Sequence, residues 1–203
     1  MLSLYKKSRE VINMCVFDEM RKKNNYFKDF YNVEKIEIIA AEIREMFGLK
    51  ETPTQIANIL NKVGFKIFSL DMDDNLSGRI GIAKEFEKML GSKKILQINS
   101  KDNRGHQRFT MAHELGHYIF DYNGHEEYAN AYSLAEDDVN LPGEMRVNRF
   151  AAALLMPKDI FIDKYTARKT LGLDEVSICK SLSEEFEVSE TAVSKRIVEL
   201  GLN

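Results

Sequence analysis

RFTMAHELGHYIFD, residues 108–121, carries His113, Glu114 and His117 in the order HExxH. On an α-helix a residue four positions along is rotated by only about 40° and raised by about 6 Å. Both imidazoles therefore leave one face toward a shared ion. Glu114, about 100° round from His113, leans over the same point without joining the coordination, where a general base belongs. The pentapeptide thus predicts a zinc-holding helix. The rest of the chain has to supply a third ligand and a scaffold.

Upstream, the period is helical. Residues 1–30 read as a charged helical arm with Val11, Ile12, Cys15, Val16 and Met20 at helical spacing. Val33 to Phe47 puts Ile36, Ile39, Ala40 and Ile43 on one face and stops at Gly48. A third helix starts after Thr52, with Pro53 in its first turn, and ends at Gly64. The period then shortens. FKIFSLDM (Phe65 to Met72), GRIGIA (Gly78 to Ala83) and KILQINS (Lys94 to Ser100) alternate or carry β-branched residues, as strands of a small, largely antiparallel sheet do. Lys84 to Gly91 fits either a short helix or a hairpin loop. The HExxH helix is expected from Arg104 to Tyr122, followed by an acidic loop, Glu126 to Asn140, with at most one short helix.

Pro142 and Gly143 open another helix through RFAAALLM to Met156, where Pro157 ends it and starts the next. Asp174 to Phe186 and Glu190 to Leu200 close the chain, with Ser189 as N-cap and Gly201 as C-cap. The expected fold class is α+β. The expected organisation is a helical arm (1–32), a catalytic body (33–172) and a helical pair (173–203) packed on that body.

The chain has 203 residues, 44% hydrophobic and 30% charged, with a net charge of -3. That is enough apolar material for a good core, without the basic surplus of a general nucleic-acid binder. No apolar run reaches the roughly 18 residues of a membrane span, and MLSLYKKSRE lacks the apolar segment of a signal peptide. A cytoplasmic location without a membrane partner is expected. Cys15 and Cys179 match no CxxC pattern and read as reduced thiols in the core.

A catalytic zinc needs a third protein ligand and an open position for water. The metzincin extension is excluded, because it requires Gly at 120 and His at 123 where this chain has Phe120 and Asn123. Glu144 stands out among the carboxylates, in the first turn of a well-patterned helix. Asn148 follows one turn later on the same face, placed to accept a hydrogen bond from a liganding histidine. Asp121, Glu126, Glu127, Asp137 and Asp138 compete for the ligand position, and His125 would need a sharp chain reversal. His106, about 10 Å along the axis from His113, is too distant to ligate and reads as a surface or substrate-facing side chain. Tyr118 is the nearest hydroxyl for an oxyanion.

Ala112 and Gly116 form a small pair, and glycine costs about 1 kcal/mol relative to alanine in a helix interior. Facing Ala151 and Ala152, they would let two helices approach closely enough to bring Glu144 in. KILQINS, just before the active-site helix, is a candidate open edge for an extended substrate.

RFTMAHELGH followed by ExxxNRFAAALLMP (from Glu144) resembles the ImmA/IrrE family of metallopeptidases, over roughly Val33 to Leu202. The resemblance implies a zincin-like domain with zinc on the positions of His113, His117 and Glu144 and Glu114 as catalytic base. It also implies a protein substrate, a helix-turn-helix repressor of a stress regulon or mobile element. Val147 departs from the alanine usual before the asparagine. The alternatives are a non-catalytic zincin-like module that sequesters a regulator, and DNA binding through SLSEEFEVSETAVSKRIVELGL (181–202), which has a helix-turn-helix pattern. Charge opposes the latter, with seven acidic side chains against three basic from Leu173 onward. FxVSxxA also occurs at this place in the resembled family, within the enzyme body.

Overall fold

The computed structural model describes Phe17 and residues 32–122, 124–133 and 142–202. Among these, eight helices and four strands make an α+β body. The arm expected at 1–30 lies outside the described residues, as do Cys15, Asp137 and Asp138. Phe17 is the exception: it is buried, with its ring edge-on to Tyr118 and stacked on Phe47.

Helix α1 (Val33–Met46) is capped by the Asn32 side chain, which accepts from the Lys35 amide, and buries Ile36, Ile39, Ala40 and Ile43. Helix α2 (Ile56–Lys62) starts later than Pro53 suggests. The preceding loop is claimed by tertiary contacts. Thr54 is fully buried, its carbonyl accepts from Arg108 Nη2 at 2.8 Å, and its hydroxyl donates to the Leu154 carbonyl at 2.9 Å.

Strands β1 (Phe65–Leu70), β2 (Leu76–Ile82), β3 (Lys94–Asn99) and β4 (Tyr128–Ser133) form one sheet in the order β1-β3-β2-β4. The β1–β3 pairing is parallel; β2 pairs antiparallel with both β3 and β4. Helix α3 (Lys84–Leu90), between β2 and β3, settles the stretch that fitted two readings, and Gly91 caps it at φ 72°. β3 is therefore internal, with Ile95 facing Lys66 on one side and Gly81 on the other. The expectation that KILQINS is an open edge is wrong. Its apolar residues are buried on both faces, as an interior strand requires. The acidic stretch after the HExxH helix holds a strand, and among the described residues this β4 is an edge of the sheet.

Helix α4 (Arg104–Phe120) is capped by Asn103 and lies on the sheet. Gly78 in β2 permits that approach, because a Cβ there would collide with Thr110 Cγ2. Helix α5 (Pro142–Leu155) packs on both α4 and α1, burying Val147, Phe150, Ala151 and Leu154. Helices α6 (Lys158–Thr170), α7 (Glu175–Phe186) and α8 (Glu190–Glu199) complete the chain, with Ser189 capping α8 through the Ala192 amide.

The C-terminal pair is joined to the front of α4. Arg108 Nε donates to the Glu187 carbonyl at 3.0 Å, and a Cβ at Gly105 would lie 3.0 Å from the Val188 backbone. Arg196 of α8 is fully buried. It donates to Glu37 of α1 at 2.5 and 2.9 Å and to the Met156 carbonyl.

Candidate metal centre

HExxH sits in the second half of α4, and ExxxN in the first half of α5. Where the helices meet, Gly116 Cα faces Val147 and Phe150: an added Cβ would stand 3.1–3.3 Å from their side chains. The close seam expected from small residues exists, with different partners. Val147 and Phe150, both fully buried, fill the space over Gly116, while half-buried Ala152 faces a groove. The methyls of Val147 are accommodated by the missing Cβ of the glycine.

Across this seam Glu144 reaches both imidazoles. Its Oε2 lies 3.2 Å from His113 Nε2 and its Oε1 3.2 Å from His117 Nε2, and the two Nε2 atoms are 3.0 Å apart. A tetrahedron with metal–ligand bonds of about 2.0–2.2 Å has edges of roughly 3.3–3.6 Å. The Nε2–Nε2 separation and the two nitrogen-to-carboxylate separations, one to each oxygen of Glu144, are close to such edges. Among the described residues this is the one group of three or more His, Cys, Asp or Glu placed to share an ion.

The far nitrogens define the donor chemistry. His113 Nδ1 donates to Asn148 Oδ1 at 2.9 Å, and His117 Nδ1 donates to Asp121 Oδ2 at 2.7 Å. Asp121 in turn receives Arg146, whose guanidinium lies 4.8 Å over the Phe120 ring. With both Nδ1 protons committed outward, any Nε2 that carries no proton aims its lone pair inward, at the other imidazole and at a carboxylate. Three acceptors converge, and only a cation or a proton makes that arrangement favourable. The donor set fits zinc.

The two histidines differ in what they hold. Burial pushes His113 below the usual imidazole range, against the opposing pull of Glu144. Burial opposes charge on His117 too, but hydrogen bonds to Asp121 and Glu144 outweigh it and raise the group to about 9. A proton on His117 Nε2 is therefore the competitor of any metal. Burial works against ionisation of Glu144, yet the two imidazoles bring it down to about 2, so it is a carboxylate at any physiological pH.

Glu114 is fully buried one residue from His113. Tyr118 is not at the centre. It is 1% exposed, its hydroxyl accepts from Lys94 Nζ at 2.8 Å, and its ring packs edge-on to Phe65 in the core. The phenol that senses the site is Tyr128 on β4: burial, then the carboxylates of Asp121, Glu114 and Glu144, push it above the usual tyrosine range. Tyr128 gave no signal in the sequence, since it lies in the stretch read as loop. Asp121 carries one, an i,i+4 offset from His117, which suits a partner of the outer ring nitrogen as well as a ligand. His125 is exposed, Glu126 pairs with Lys84, and neither joins the centre. His106 Nε2 lies 2.9 Å from Ser77 Oγ and its side chain lines the groove beside Ala152.

The family profile described as IrrE N-terminal-like domain, Peptidase_M78, matches residues 60–198. Among solved structures, a Mycobacterium tuberculosis transcriptional regulator superposes with a TM-score of 0.54 at 18% identity, covering 89% of this chain and 51% of that one. At that identity the likeness speaks for the fold, and the chain spans about half the length of the regulator. No curated protein sequence matches significantly.

Proposed function

The chain belongs to the Peptidase_M78 (IrrE N-terminal-like) family, and from that premise we propose a zinc-dependent endopeptidase that cuts a protein partner, a helix-turn-helix repressor of a stress regulon or mobile element. The observation that carries this reading is the convergence of His113, His117 and Glu144 with Glu114 one residue along the same helix. His113, His117 and Glu144 would hold the zinc, which when bound acidifies water and polarises a carbonyl.

The protein's own groups do the rest. Asn148 and Asp121 fix the imidazoles in the Nδ1–H tautomer and in orientation. Glu114 takes the proton of the attacking water and hands it to the nitrogen of the departing amine. Tyr128, kept protonated by burial and by the carboxylates around it, is the donor assigned to the developing oxyanion, replacing Tyr118. An extended substrate segment adds to β4, the edge strand that carries Tyr128 and contacts α4.

DNA binding through α8 is disfavoured by Arg196. The arginine that would reach phosphate or base is fully buried against Glu37, which leaves Lys195 as the exposed cation of that helix.

The test is to incubate the protein with any helix-turn-helix repressor encoded beside it, with and without zinc, and look for fragments by mass spectrometry. Glu114→Gln is expected to lose roughly 10²–10⁴-fold in rate while keeping its zinc. Tyr128→Phe should lose about 10²-fold in kcat with KM preserved. Fragments formed equally by Glu114→Gln would sink the mechanism, and zinc-dependent capture without fragments would favour a sequestering module.

A further inference from the structure

Between the first turns of α4, the middle of α5 and the outer face of α8 lies a groove of about 720 Å³. Phe109, Ala152 and Ala192 give it apolar walls, and Val198, 63% exposed, stands at its edge. All three walls are helices. An extended chain finds no strand edge here, so an occupant must be held through its side chains. The groove adjoins the metal centre through Asn148, which lines it and holds His113 Nδ1.

The charges decide which occupant fits. Glu199 is engaged by Arg196 at 3.0 Å and lies 3.9 Å from Arg149, so the one lining carboxylate is already faced by cations. Lys195 is exposed at the rim. The balance is positive over an apolar floor. The ten residues of α8 give a wall of about 15 Å, three turns of a facing helix.

We propose that this groove docks an amphipathic helix of the substrate protein, with its aliphatic face on Phe109, Ala152 and Val198 and an acidic flank against Lys195. The proposal rests on the endopeptidase reading and deepens it, since it places recognition of the partner on a surface separate from the edge strand beside the zinc. The fold has turned a would-be DNA-reading helix into a wall for a protein.

The test uses the full chain carrying Glu114→Gln, loaded with zinc, so that binding is read without cleavage. The probe is a fluorescein-labelled helical peptide with leucines at i, i+3, i+4 and i+7 and glutamates on its flanks, followed by anisotropy. Its partners are the same peptide with lysine flanks, a proline-broken version and a short DNA duplex. The acidic helix should bind best. Ser194→Trp, which fills the groove from an exposed position, should weaken it by more than about tenfold. Lys195→Glu should weaken it about fivefold, less in high salt, while Lys88→Glu on α3 changes nothing. Equal binding of both flanked peptides, tighter binding of the duplex, or unchanged affinity in Ser194→Trp and Lys195→Glu would overturn the proposal. Cleavage of the repressor is a separate readout and stands or falls independently.

Discussion

Helices α4 and α8 each carry a sequence pattern borrowed from a well-known function, and the structure treats the two patterns oppositely. On α4 the two histidines of HExxH are buried yet face one another and the carboxylate of α5. The interior there is built to hold a charge. On α8 the corresponding charged residue, Arg196, is buried as well, but every contact it makes is structural: Glu37, Glu199 and the Met156 carbonyl. A motif becomes a site when its polar groups converge with lone pairs still available. It becomes scaffold when neighbours saturate them.

The strongest way to break this comparison is at Arg196. If it is scaffold, Arg196→Met leaves Glu37 largely buried without its cation, and the fold should lose about 3 kcal/mol, read from the urea unfolding midpoint. Adding Glu37→Leu should recover most of that loss. A stable Arg196→Met protein whose one defect is duplex binding would return α8 to the DNA-reading class.

Next in size is the seam under the metal centre. Gly116→Leu forces a side chain into the 3.1–3.3 Å space against Phe150 and Val147. Overpacking of this kind costs about 1–3 kcal/mol, and it should also carry Glu144 away from the imidazoles. Zinc affinity measured with a chelating dye should fall together with stability. Unchanged affinity in a folded Gly116→Leu protein would show that the glycine does not set the ligand distance.

The smallest effect sharpens the contrast between the two histidines. His117, held at about 9, must shed a proton for metal to bind. Its affinity is therefore lowest in acid and rises with pH, roughly tenfold per unit, until it levels near pH 9. In Asp121→Asn the levelling point should move down toward the ordinary imidazole value of about 6.5, and the maximal affinity should drop about 10–100-fold. Identical pH profiles for the two proteins would remove Asp121 from its positioning role.

Much of this was legible beforehand, and the limits have physical causes. The spacing His113–His117 and the register of Glu144 and Asn148 on one helix face are local properties, so the sequence carries them directly. Edges of sheets are not local. KILQINS and its neighbours alternate well enough to be called strands, but whether β3 lies at an edge depends on two partners elsewhere in the chain. The same holds for Tyr118 and Tyr128. Each is a tyrosine near HExxH in sequence, and only the packing sends the first into the core against Phe65 and leaves the second half-buried on β4, where the carboxylates bear on it electrostatically.

The sequence by itself determined most of the elements, the three metal-binding candidates, the candidate base and the family, because each rests on spacing within one element or on a motif read in order. The tertiary structure decided that Glu144 meets both imidazoles, that Asp121 and Asn148 hold the outer nitrogens differently, that β3 is internal while β4 is an edge among the described residues, and that Arg196 is spent on Glu37. Those are distances between segments far apart in the chain. They are fixed by how the whole core closes, over Gly78 and Gly116 in particular, and no local pattern contains them.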